Sequence, residues 1–248
     1  MDLSGKVALV TGSGRGIGRA TALALARAGA DVVVNYQNNP DAANEVVRMI
    51  EGLGRRSFAV QADVGNRLAL ETLFGKLDEN FGKLDILVNN AGIGTLRRLE
   101  DISLDLWESV LRVDLTGPFL CIQAAATRMI PRRYGRIVNV SSIAGVRGLD
   151  MDPPYTAAKA GLLGLTKSAA RYLGTYNITV NAVSPGPIDT DLSRVLPEEM
   201  RLSAARSSAL GRMGAPEDVA DAILFFASDY SRHVTGQMIL VDGGIVMP

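Results

Sequence analysis

Tyr155 and Lys159 stand one helical turn apart in the stretch YTAAK, a spacing that could make a proton donor and its electrostatic partner. A free phenol has a pKa of about 10 and exchanges its proton poorly near neutrality. The preceding residues address that difficulty. In MDPPYTAAK, Asp152 is expected to cap a helix with Pro153 in its first turn, which sets Tyr155 near the positive end of the helix dipole. Lys159, at i+4, shares the same face and adds a full positive charge. Both effects favour the phenolate. A Tyr-x-x-x-Lys pair also arises by chance, so the rest of the chain must decide.

Composition narrows the chemistry. The 248 residues carry 26 basic and 26 acidic side chains, so no global field would draw in nucleic acid, membrane or a polyanion. With one histidine, His233, and one cysteine, Cys121, the chain lacks the usual ligand set for zinc, and a disulfide framework is excluded. No G-x-S-x-G elbow precedes His233, which argues against a Ser-His-Asp hydrolase. A P-loop motif is absent too. A strand-like run begins by residue 6, so no signal peptide is expected, and the protein is expected to be soluble and cytoplasmic.

Seven short apolar, β-branched runs alternate with stretches of helical periodicity. They are KVALVT, DVVVNY, SFAVQAD, LDILVNN, GRIVNVSS, ITVNAVS and GQMILVDGG. Their near-continuous apolar character implies strands covered on both faces. The expected fold is α/β: a single doubly wound Rossmann domain over residues 1–248, with a seven-stranded parallel sheet and helices on both faces. TGSGRGIG follows the first run and opens the first long helix. Gly12, Gly16 and Gly18 remove Cβ atoms where a pyrophosphate could approach the helix N-terminus.

The glycine spacing G-x-x-x-G-x-G and YxxxK together resemble the short-chain dehydrogenase/reductase family, and the resemblance spans essentially the whole chain. NNAG (89–92), VNVSS (138–142), SPGPID (184–189) and VDGG (241–244) are similar to the family's further motifs, in the same order. The resemblance implies an enzyme that interconverts a ketone and a secondary alcohol with a nicotinamide cofactor. It makes Tyr155 the acid/base and Lys159 also a ligand of the nicotinamide ribose. It makes Ser142, in preference to Ser141, the donor to the substrate oxygen. Ser13, Arg15 and Ile17 fall in the glycine loop. Asp63 and Val64 match the adenine contact, Asn90, Ala91 and Gly92 line the cofactor, and Pro185, Gly186, Ile188 and Thr190 hold the nicotinamide. One position departs: where the family carries a catalytic Asn, VDLTG has Asp114, which loses an amide donor and brings a charge, and which is a candidate either for a proton relay through water or for a structural role.

The second strand ends VVVNYQNN, where Asn35 is expected to contact the cofactor and no acid stands to hold a ribose 2′-hydroxyl, and Arg15 matches members that accept a 2′-phosphate. NADP(H) is therefore favoured and NAD(H) is possible. The overall look is nearest to bacterial 3-oxoacyl-acyl-carrier-protein reductases, for which Arg128, Arg132 and Arg133 could dock an acidic acyl carrier protein. Glucose or polyol dehydrogenases of the same family are the alternative, and a cofactor-binding sensor without turnover is the alternative of another class. Residues 191–214, with Leu192, Val195, Leu196, Met200 and Leu202, read as an amphipathic lid. The resemblance also implies a homotetramer or homodimer.

Overall fold

The computed structural model describes residues 1–190, 193 and 197–247. Its strands are β1 (Val7–Val10), β2 (Asp31–Tyr36), β3 (Ser57–Gln61), β4 (Ile86–Asn89), β5 (Gly135–Val140), β6 (Ile178–Pro185) and β7 (Met238–Val241). They pair in parallel throughout, in the order β3-β2-β1-β4-β5-β6-β7. The helices are α1 (Gly16–Arg27), α2 (Pro40–Gly52), α3 (Arg67–Phe81), α4 (Leu104–Leu111), α5 (Gly117–Met129), α6 (Ala144–Arg147), α7 (Pro153–Leu173), α8 (Glu198–Ser207) and α9 (Pro216–Ala227). This is the expected doubly wound sheet. No described helix is long and apolar enough to cross a membrane.

The period of two along each strand divides the core into two halves. Ala8, Val10, Val32, Val34, Ile86 and Val88 point to one face, where Leu25, Ile50, Ile223 and Phe226 from α1, α2 and α9 cover them. Leu9, Val33, Leu87 and Ile137 point to the other, against Leu73, Phe74, Cys121 and Met129 from α3 and α5. Apolar residues at both parities are what turned these runs into buried strands rather than alternating ones. From β1 the chain winds outward to β3 and then returns to place β4 beside β1. That reversal opens a crevice at the carboxyl ends of β1 and β4.

Between α4 and α5 the helix widens to a π turn over Arg112–Thr116. Such bulges are rare and cluster at functional sites. This one carries Asp114 into the interior.

The opposite edge of the sheet is closed by charge. Asp31 at the start of β2 accepts from Arg56 N, Arg56 Nε and Arg55 Nη2, each at 3.0 Å. Burial works to raise its carboxyl, but these donors outweigh it and hold the group below its ordinary 3.8. A carboxyl depressed by folding adds stability above its unfolded pKa and loses it as pH falls. Asp31→Asn is expected to cost about 1–3 kcal/mol near neutrality. In thermal melts against pH, the gap to wild type should narrow as pH drops below 3.8.

Candidate active site

Four loops meet at the crevice. The glycine loop is held open by Thr11, whose hydroxyl accepts from Asn90 N (2.9 Å) and Ala91 N (3.0 Å), while Asn90 Nδ2 donates to Thr11 O (2.8 Å) and Gly12 O (3.1 Å). A Cβ on Gly18 would stand 2.4 Å from Gly12 O and 2.5 Å from Asn90 Nδ2, so glycine is what lets α1 start against the loop. The first-turn amides of α1, residues 16–18, have no carbonyl a turn earlier to receive them. Together with the helix dipole, they fit a pyrophosphate. Arg15, at the N-cap, is extended and exposed beside this cradle.

Two expected cofactor contacts turn inward instead. Asn35 is 1% exposed, and its side chain is used up: Oδ1 accepts from Gly12 N (3.1 Å), and Nδ2 donates to Ala62 O (3.1 Å) and Val60 O (3.3 Å). Ser13 is buried and donates to Val10 O at 2.8 Å. Both shape the loop and offer a ligand no side-chain atom. The reason is that the chain bends over β2 and β3 here, and buried amides must find partners. Asp63 keeps partial exposure, with Oδ1 on Gly65 N (2.8 Å) and Oδ2 on Arg112 Nη1 (2.7 Å). Val64 is buried, and so are Pro185 and Ile188, whereas Ile17, Ala91, Gly186 and Thr190 are half-buried and Gly92 is exposed. Thr190 faces Gly16: its Cγ2 would lie 3.4 Å from a Cβ there.

At the end of β5, the two serines separate. Ser141 is buried and donates to Lys159 O (2.9 Å). Ser142 accepts from Ala144 N (3.1 Å) and keeps its own proton to donate. Lys159, 4% exposed, donates to Val140 O (3.0 Å), and its Nζ lies 3.1 Å from Asp114 Oδ2 and 5.4 Å from the Tyr155 ring centroid. Asp114 Oδ1 accepts from Ile93 N at 2.8 Å. Burial pushes the Asp114 carboxyl up, against the pull of Lys159. Burial also presses on the Lys159 ammonium, but the Asp114 carboxylate outweighs it and holds that pKa above the ordinary range.

Asp152 does not cap α7 with its side chain. It sits in the left-handed region (φ 66°), buried, and its carboxylate accepts from Thr95 N (2.6 Å), Thr95 Oγ1 (2.7 Å) and Leu96 N (3.1 Å). Asp152 N in turn donates to Arg97 O (2.8 Å). The bridge ties two of the crevice loops together, and the amides of a loop outcompeted those of the helix. Tyr155 still lies in the first turn of α7, after Pro153 and Pro154.

The arginines expected to dock a carrier are engaged elsewhere. Arg128 grips Asp78 at 2.6 and 2.8 Å, Arg132 pairs with Asp85 at 2.7 Å, and Arg133 donates to Thr175 O at 3.1 Å. They sit where α5 ends and β5 begins, at the edge of the sheet opposite the crevice. Of the expected lid, Leu192, Val195 and Leu196 lie outside the described residues. Met200 and Leu202 on α8 are 49% and 46% exposed.

A family model described as enoyl-(acyl carrier protein) reductase matches residues 12–246. A 3-oxoacyl-[acyl-carrier-protein] reductase of Synechocystis is 45% identical over 99% of this chain and 98% of its own. One of Staphylococcus aureus is 43% identical over 98% of each. The chain belongs to the short-chain dehydrogenase/reductase family. Among solved structures, the angucycline C-6 ketoreductase LanV with bound NADP superimposes with a TM-score of 0.93 at 37% identity, covering 98% of this chain and 96% of that one. As a short-chain dehydrogenase/reductase, the protein is an oxidoreductase of carbonyl and alcohol groups.

Within that family frame, Thr11 and the buried ladder from Asn89 through Asn139 to Thr166 (2.8 and 2.9 Å) are site-building residues the sequence reading passed over. A polar residue inside an otherwise apolar strand was the available signal, since buried amides need partners. Gly18→Ala is expected to weaken NADPH binding at least tenfold and to lower the melting temperature, because backbone oxygen meets the new methyl. Fluorescence titration and a thermal melt check both. Asp152→Ala, which strands Thr95 N and Leu96 N, should cost about 1–3 kcal/mol in denaturant unfolding and speed proteolysis in residues 93–98.

Proposed function

We propose that this chain reduces 3-oxoacyl thioesters to 3-hydroxyacyl thioesters with NADPH, with cofactor site and catalytic residues in one domain. The observation that carries the reading is the Tyr155–Lys159 pair, with buried Lys159 Nζ 5.4 Å from the Tyr155 ring, while Ser142 stands just past the end of β5 with its proton free to donate. Whole-length relatives of that name support the substrate class.

The crevice fits a dinucleotide: the glycine loop and α1 amides face the pyrophosphate, and Arg15, with no acid near Asn35, favours a 2′-phosphate. Once bound, the nicotinamide supplies a hydride to the carbonyl carbon. Ser142 Oγ–H donates to the carbonyl oxygen and orients it. Tyr155 gives its phenolic proton to that oxygen as the C–O bond becomes an alcohol, and solvent restores the proton. Lys159, ion-paired with Asp114 and donating to Val140 O, keeps a donor for the ribose hydroxyls.

Exposed Arg97, Arg98 and Arg147 flank the crevice and suit an acidic carrier better than the arginines at the far edge. We also infer a dimer or tetramer, supported by the exposed Leu104, Phe119 and Tyr172 on α4, α5 and α7, with light scattering as its check.

NADPH consumption with acetoacetyl-CoA tests the reading. Wild type should turn over, and Tyr155→Phe should lose about 10²–10⁴-fold in kcat while still binding NADPH. Equal rates in the two proteins would overturn the assignment of Tyr155, and a wild type silent with every 3-oxoacyl thioester would overturn the substrate class.

A further inference from the structure

The π turn drives Asp114 to zero exposure, where Oδ2 has no hydrogen-bond partner of good geometry and only the Lys159 ammonium at 3.1 Å. The pair lies directly behind the crevice floor. A Cβ on Gly92 would stand 2.6 Å from Asp114 Oδ2 and 3.3 Å from Lys159 Nζ. Few other charges reach it. From α7 come Tyr155 and Lys159, and from its N-terminus comes Asp152, whose carboxylate is already committed to Thr95 and Leu96. From β4 and β5 come only backbone groups, Ile93 N just past β4 and Val140 O at the end of β5.

An amide at position 114 would leave Lys159 as a bare buried cation. That cation would attract a phenolate and help strip the proton from Tyr155. A carboxylate at 3.1 Å converts it into a short dipole, whose field at the phenol is much weaker than that of a full charge. The proton-loaded phenol is the form that reduces a carbonyl, and the phenolate is the form that oxidises an alcohol. We propose that Asp114 is a positioning residue that cancels the charge of Lys159 and so keeps the site loaded for carbonyl reduction to a higher pH. It rests on the reductase reading above, since it assigns Tyr155 the transferred proton.

Two readouts test it. In the first, protein labelled with ¹³Cε-lysine gives five lysine signals, with Lys159 assigned by Lys159→Met. Asp114→Asn should bring the Lys159 titration down by at least about one pH unit, and Asp114→Glu should restore it. In the second, the pH at which alcohol oxidation reaches half its maximal kcat should fall by about one unit in Asp114→Asn. The reduction rate should decline correspondingly earlier, and Asp114→Glu should track wild type. Identical lysine titrations in wild type and Asp114→Asn would overturn the proposal. So would superimposable pH profiles accompanied only by a lower melting temperature. A wild type without turnover would overturn the reductase reading instead, and the lysine titration would still decide whether Asp114 governs Lys159.

Discussion

A sheet buried on both faces can present polar chemistry only at the ends of its strands, and everything else in this molecule follows from that constraint. β1 is apolar along its length, β4 is apolar up to Asn89 and β5 is apolar apart from Arg136 and Asn139, with their outer parities consumed by two separate helix layers. Thr11, Asn89, Asn90, Asn139, Ser141 and Ser142 appear where those strands run out. The order β3-β2-β1-β4 then splits the covering helices at one place, between β1 and β4, and leaves a crevice there. The candidate site groups converge there because the strand order leaves them room at the carboxyl ends of β1 and β4.

The crevice is rigid because its loops are fastened to each other more than to the strands that launch them. Thr11 and Asn90 join the glycine loop to the loop after β4, Asn35 joins it to β3, and Asp152 joins the loop after β4 to the one after β5. Each bond satisfies a buried or half-buried amide that would otherwise be left unpaired at a cost of about 1–3 kcal/mol. Preorganisation of the cleft is thus a by-product of ordinary polar satisfaction. The glycines serve the same end: where a Cβ would meet backbone at 2.4 Å, as at Gly18, close loop packing and a bare cradle are one requirement.

Charge is distributed with equal economy. At the closed edge, Asp31 and Asp85 gather arginines that stay partly in solvent, where ion pairs are cheap to form. Inside the crevice, among the described residues, one pair is buried outright, Asp114 with Lys159. Burying one member alone would be costly, so each is retained by the other. The Tyr155 ring, 5.4 Å from Lys159 Nζ, therefore sits next to a neutral pair.

The sequence by itself determined the fold class and the placing of the glycine loop and of the Tyr155–Lys159 interval, because periodicity and short-range spacing survive in a one-dimensional reading, whereas Ser142 was singled out by the family resemblance. A two-residue parity shows a buried strand, and an i+4 interval shows a shared helix face, without knowledge of any neighbour. The tertiary structure decided what depends on distant partners. Asp152 looked like a helix cap and became a clamp on Thr95, Asn35 looked like a cofactor contact and became a loop strut, and Arg128 and Arg132 found carboxylates at the wrong edge for docking. Asp114 was visible only as a departure from Asn, and its partner came into range only when a π turn swung it inward. Polar side chains take the nearest unsatisfied group in space, and which group that is follows from packing among residues tens of positions apart.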